Sequence, residues 1–119
     1  MTPSEAAVRL LTLAVPETQA LLNEHSALYG ELLPTVFFGE VAEWLARTLN
    51  EEHDANAAVV PVVLDVMECF LIGGGSDVKD LVTTGFLEGL PPDVLAEGRL
   101  EAMLGPALRG DLNRLGQTG

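Results

Sequence analysis

The sequence predicts an all-α fold, a compact bundle of six or seven short helices or a HEAT-like antiparallel stack. Three observations lead there. Apolar residues recur at spacings of three and four along most of the 119 residues. Proline or glycine interrupts that pattern at short intervals, and short connections favour antiparallel neighbours. Hydrophobic residues make up 48% of the chain, enough for one core without a metal or a disulfide. A HEAT-like stack would repeat at roughly 40 residues, and no repeat of that period is found. Residues 1–119 read as a single helical domain whose tail, 116–119, is expected to fray.

Each element has its own signal. Ser4 is placed to cap a first helix carrying Ala7, Leu10, Leu11 and Ala14. Val15-Pro16 breaks it, and Pro16 suits the first turn of a second helix carrying Ala20, Leu21, Leu28 and Tyr29. Gly30 is a natural stop. After Leu33-Pro34 a third helix is expected from Thr35 to about Leu49, with Phe37, Val41, Trp44, Leu45 and Leu49 on one stripe. A polar loop, 50–56, leads to a fourth helix over about Ala57–Ile72. That segment is apolar nearly all round, which predicts a central position. Its valines make a strand over 58–66 the alternative, but length, Pro61 and the spaced acids favour helix. Gly73-Gly74-Gly75 closes it, and Ser76 is expected to cap a fifth helix burying Val78, Leu81, Val82, Gly85, Phe86 and Leu90. Beyond Pro91-Pro92, Leu95, Leu100, Met103 and Leu104 mark one or two short helical turns. After Gly105-Pro106, Leu108, Leu112 and Leu115 mark a last amphipathic segment.

Charge bounds the function. Eighteen Asp and Glu oppose six Lys and Arg, for a formal net charge of −12. The acids are spread along the chain, and the stretch between Arg9 and Arg47 holds Glu17, Glu24, Glu31, Glu40 and Glu43 with no base. Nucleic acid and anionic membrane surfaces are excluded as expected ligands, because both need Lys and Arg clusters. A basic protein partner fits the balance. The single cysteine, Cys69, allows no intrachain disulfide, and its neighbours Met67, Phe70 and Leu71 predict a buried, inert thiol. The N-terminus lacks a basic flank followed by an apolar stretch, and Pro61, Asp65 and Glu68 interrupt the run Ala57–Gly73. A cytoplasmic location is therefore expected.

No catalytic constellation emerges. Glu51-Glu52-His53-Asp54 gathers four ligand types, but without the spacing of a zinc site. Gly73-Gly74-Gly75-Ser76 resembles a phosphate loop only until Asp77 and Asp80, which would repel phosphate. The carboxylate pairs Glu40/Glu43 and Asp65/Glu68 stand three apart on helical faces. An acid on a mostly buried helix must sit at an exposed edge or find a partner. The expectation is therefore no enzyme, no catalytic or metal residues, no cofactor, and a partner-binding surface made of Glu40, Glu43, Glu51, Glu52, Asp54, Asp65 and Glu68.

Three segments taken together carry a family resemblance: Leu33-Pro34-Thr35-Val36-Phe37-Phe38-Gly39-Glu40, then Asp80-Leu81-Val82-Thr83-Thr84-Gly85-Phe86-Leu87-Glu88, then Leu104-Gly105-Pro106-Ala107-Leu108. In order and spacing they resemble a family of small acidic all-helical bacterial proteins of uncharacterised domain type, over about residues 28–115. The resemblance implies an immunity-type protein that binds and neutralises a cationic bacterial toxin domain. The alternative is an acidic interaction adaptor, or a nucleic-acid mimic, without a toxin partner.

Overall fold

Helix termini and glycine contacts explain most of the architecture in the computed structural model, which describes residues 1–50 and 57–118. Eight α-helical segments and no strand occur among these residues, so the expected all-α bundle is what forms. The alternative strand over 58–66 is replaced by a 3₁₀ turn, Ala57–Val59, leading into helix. The radius of gyration, 13.5 Å, is what length scaling gives for one folded domain.

Helix α1 (Pro3–Ala14) is capped by Thr2, whose Oγ1 accepts from the Glu5 N–H at 3.1 Å. Ser4, the expected cap, lies inside the first turn because Pro3 already takes the first helical position. α1 buries Ala7, Val8 and Leu11 and leaves Leu10 and Leu13 outside. Helix α2 (Thr18–Tyr29) follows a tight turn and ends at Gly30, whose φ of +73° explains the glycine. Helix α3 (Pro34–Asn50) buries Phe37, Phe38, Val41, Ala42, Leu45, Ala46 and Thr48.

Helix α4 (Val60–Gly73) buries Val60, Val63, Leu64 and Met67 and packs against α1, α3, α5 and α8. Helix α5 (Ser76–Asp80) runs unbroken into a π-helical segment, Leu81–Leu87. Its cap residue is Gly75, without a side-chain bond, rather than Ser76. Two short helices follow, α6 (Pro92–Glu97) and α7 (Arg99–Met103), and then α8 (Pro106–Thr118).

The closest packing joins α3 to the π-helical segment. A Cβ on Gly85 would lie 2.9 Å from Phe38 Cβ and 2.9 Å from the Thr35 carbonyl oxygen. One on Gly89 would lie 2.9 Å from Gly39 Cα. The backbones touch because no side chain separates them. Phe37, Phe38, Val82 and Phe86 then fill the core on either side, all fully buried.

Cys69 is exposed, which corrects the expectation of a buried thiol. It follows Met67 by two residues, about 200° around the helix. Met67 faces the core, so Cys69 faces away, beside Leu10 and Phe70 in an apolar recess between α1 and α4. Trp44 is half-buried against the core.

Candidate partner-binding site

Helix α2 combines buried polar residues with exposed apolar ones at its C-terminal end. Its two buried residues are polar: Thr18, wholly buried, and His25, 1% exposed. Leu28 is 73% exposed and Tyr29 43% exposed. Leu21 and Leu22 touch the core only in part. The sequence marks Ala20, Leu21, Leu28 and Tyr29 as the apolar residues of this helix; the structure leaves Leu28 and Tyr29 outside. Leu21 and Leu22 supply the apolar contact of α2 with the core, and hydrogen bonds from Thr18 and His25 add to it.

Thr18 Oγ1 donates to the Val15 carbonyl at 2.6 Å. The imidazole of His25 does more. The Leu33 N–H donates to Nε2 at 3.0 Å, so that nitrogen carries no proton. The proton therefore sits on Nδ1, which faces Glu40 Oε1 at 2.5 Å. Tyr29 and Phe37 flank the ring at centroid distances of 4.8 and 5.7 Å. His25 thus pins α2 to α3 and fixes the 30–33 turn. Both ring nitrogens are engaged, so the side chain has no free atom for catalysis or for a metal.

The seam beside this pin is an open recess of 170 Å³. Leu21 and Leu28 line it on the α2 side with Glu24, and Glu40, Glu43 and Arg47 on the α3 side. Glu43 is exposed and Glu40 half-buried. Apolar surface flanked by three carboxylates is a combination that suits a cationic amphipathic chain.

The expected site residues divide. Glu40 and Glu43 meet in this recess, and Glu40 also holds His25. Asp65 is exposed on α4 and does not line this recess. Glu68 reaches across to the start of α8. Its Oε2 accepts from the Ala107 N–H at 2.8 Å and its Oε1 from the Leu108 N–H at 2.9 Å. These are two of the four donors a helix N-terminus leaves unpaired, and the negative charge suits the positive end of the dipole. A Cβ on Gly105 would fall 2.6 Å from the Glu68 carboxyl carbon, so the glycine makes room for the carboxylate. Glu51, Glu52, Asp54 and His53 lie outside the described residues.

Glu24, Leu21 and Leu28 complete the recess without having been singled out as site residues. Their signal was present in part: Glu24 lies in the base-free stretch, and Leu21 and Leu28 fall on one side of the helix. Elsewhere, bases serve helix ends. Arg99 Nη2 donates to the Leu49 carbonyl at 2.5 Å, and Arg109 Nη2 to the Glu101 carbonyl at 3.2 Å. Among the described residues, no group of three His, Cys, Asp or Glu side chains is placed to hold a metal ion. Nor is any helix among them long and apolar enough to cross a membrane.

Fold and site together define a small all-α bundle with an acidic, partly apolar recess between two outer helices. More particularly, the chain belongs to the family described as a domain of unknown function, DUF7674, whose model matches residues 8–116. That match begins within α1 and takes in all three resemblance segments. No curated protein and no solved structure matches the chain.

Proposed function

We propose that this protein is an interaction module that captures a basic protein partner at the α2–α3 recess. We further propose that the partner is a bacterial toxin domain, which this protein neutralises in the cytoplasm as an immunity-type protein. The observation that carries the reading is the exposed Leu28 in a recess walled by Glu24, Glu40 and Glu43. A helix that places Leu28 in solvent and histidine in the core gives up hydrophobic stabilisation of about 1.5–3 kcal/mol for that leucine. A partner that covers Leu28 recovers it. The carboxylates around it speed the encounter with a cationic surface. The toxin assignment rests on the family resemblance of the three sequence segments.

The test uses the purified cationic product of the reading frame adjoining the gene. Glu24→Lys/Glu43→Lys is the variant of choice, because Glu40→Lys would also break the His25 pin. The association rate is expected to fall about tenfold or more, and the wild-type rate to fall as salt rises. Asp65→Lys serves as the control and leaves the rate nearly unchanged. Equal rates for the wild type and the double variant contradict the site. A nucleic-acid mimic would depend on the acids alone, so a loss of affinity in Leu28→Ser separates the two readings.

A further inference from the structure

Away from the α2–α3 recess, a cleft of 400 Å³ opens where α4, α5 with its π-helical extension, and α8 converge. Its polar wall consists of Ser76, Lys79, Asp80, Thr83, Asp111 and Arg114. The volume is within the range of sites that take small molecules.

Part of this wall is explained by folding. Asp111 is only 7% exposed, and a buried carboxylate needs partners. It accepts from the hydroxyl of Thr83 and pairs with Arg114, which is on its own helix and 70% exposed at the side chain. Thr83 belongs to the π-helical segment, where the Glu88 N–H bonds five residues back to the Thr83 carbonyl. Such segments recur at functional sites.

The rest of the wall is not explained by folding. Lys79, Asp80 and Ser76 are exposed, and Lys79 has no ion-pair partner among the described residues. Two of the chain's six bases therefore face one cleft in a protein of net charge −12. A simple anion such as phosphate would meet the carboxylates of Asp80 and Asp111. A simple cation would meet Lys79 and Arg114. A molecule carrying both charges satisfies both sets.

We infer that this cleft binds a small zwitterion of the free amino acid class. The ligand carboxylate is taken by Lys79 and by the Arg114 donors that Asp111 leaves over. Its ammonium group is taken by Asp80, and the Ser76 hydroxyl completes the shell. The inference stands independently of the α2–α3 recess.

Calorimetric titration with each proteinogenic amino acid tests it, with N-acetyl and C-amide derivatives of any that bind. Saturable binding of at least one free amino acid is expected, weakened about tenfold by either blocking group. Lys79→Ala is expected to weaken it about as much, with an unchanged circular dichroism spectrum, because Lys79 is exposed and pairs with no acid among the described residues. Asp80→Asn should weaken binding of the free amino acid and of its C-amide, which both carry the ammonium, and leave the N-acetyl form unaffected. The inference is overturned if no free amino acid binds, if the blocked forms bind as well, or if Lys79→Ala binds like the wild type.

Discussion

Helices α2 and α3 lie side by side and are held by opposite means. α3 meets the π-helical segment through bare backbone at Gly39, Gly85 and Gly89, with phenylalanines sealing the contact. α2 is pinned to α3 by a histidine and a glutamate, and leaves Leu28 in water. Dense apolar packing stabilises through many small contacts and tolerates little change. A few hydrogen bonds fix position while adding modest net stability. One pairing therefore anchors the fold, and the other presents a surface. The proposed site thus lies on a seam held by few polar contacts, beside one held by direct backbone contact.

The contrast breaks most visibly at Gly85. Gly85→Val places a branched side chain against Phe38 and the Thr35 carbonyl and should cost about 3 kcal/mol in urea unfolding. A near-wild-type midpoint would mean the backbones do not touch. At His25 the effect should be smaller and local. His25→Ala removes two hydrogen bonds and should cost about 2 kcal/mol. Hydrogen exchange should then quicken in α2 and the 30–33 turn while α3 stays protected; uniform loosening of both helices would deny the pin.

Glu68 sharpens the comparison from outside it, since it too positions a helix by polar contact. Glu68→Ala should cost about 1.5 kcal/mol and speed exchange at Ala107 and Leu108. Unchanged exchange there would remove Glu68 from the role. Smallest of all, Leu28→Ser should alter stability by less than about 0.5 kcal/mol, as expected of an exposed side chain.

Much of the fold was legible before the structure. Gly30, Pro34 and Pro106 punctuate the helices where expected, and Val78, Leu81, Val82, Gly85, Phe86 and Leu90 are all buried. These are local signals, carried by neighbours in sequence. What stayed hidden depends on distance along the chain. Glu68 finds its partners 39 and 40 residues away, so its pairing with Asp65 on a helical face pointed to solvent instead. Cys69 was judged by its sequence neighbours and not by its angle round α4. The orientation of α2 was illegible because Leu21, Leu28 and Tyr29 gave an apolar face, and nothing in that period shows that His25 would find both an N–H and a carboxylate. The Glu40/Glu43 half of the proposed site is legible from charge. Its apolar half was not, because burying it was the expected outcome.

Leu28 is proposed to be exposed for a partner and not for the fold. Paired measurements on Leu28→Ser test it most directly: the unfolding free energy, and the affinity for the cationic product of the adjoining reading frame. The account predicts an unfolding free energy within about 0.5 kcal/mol of the wild type and an affinity reduced about tenfold or more. Wild-type affinity in the stable variant would contradict it.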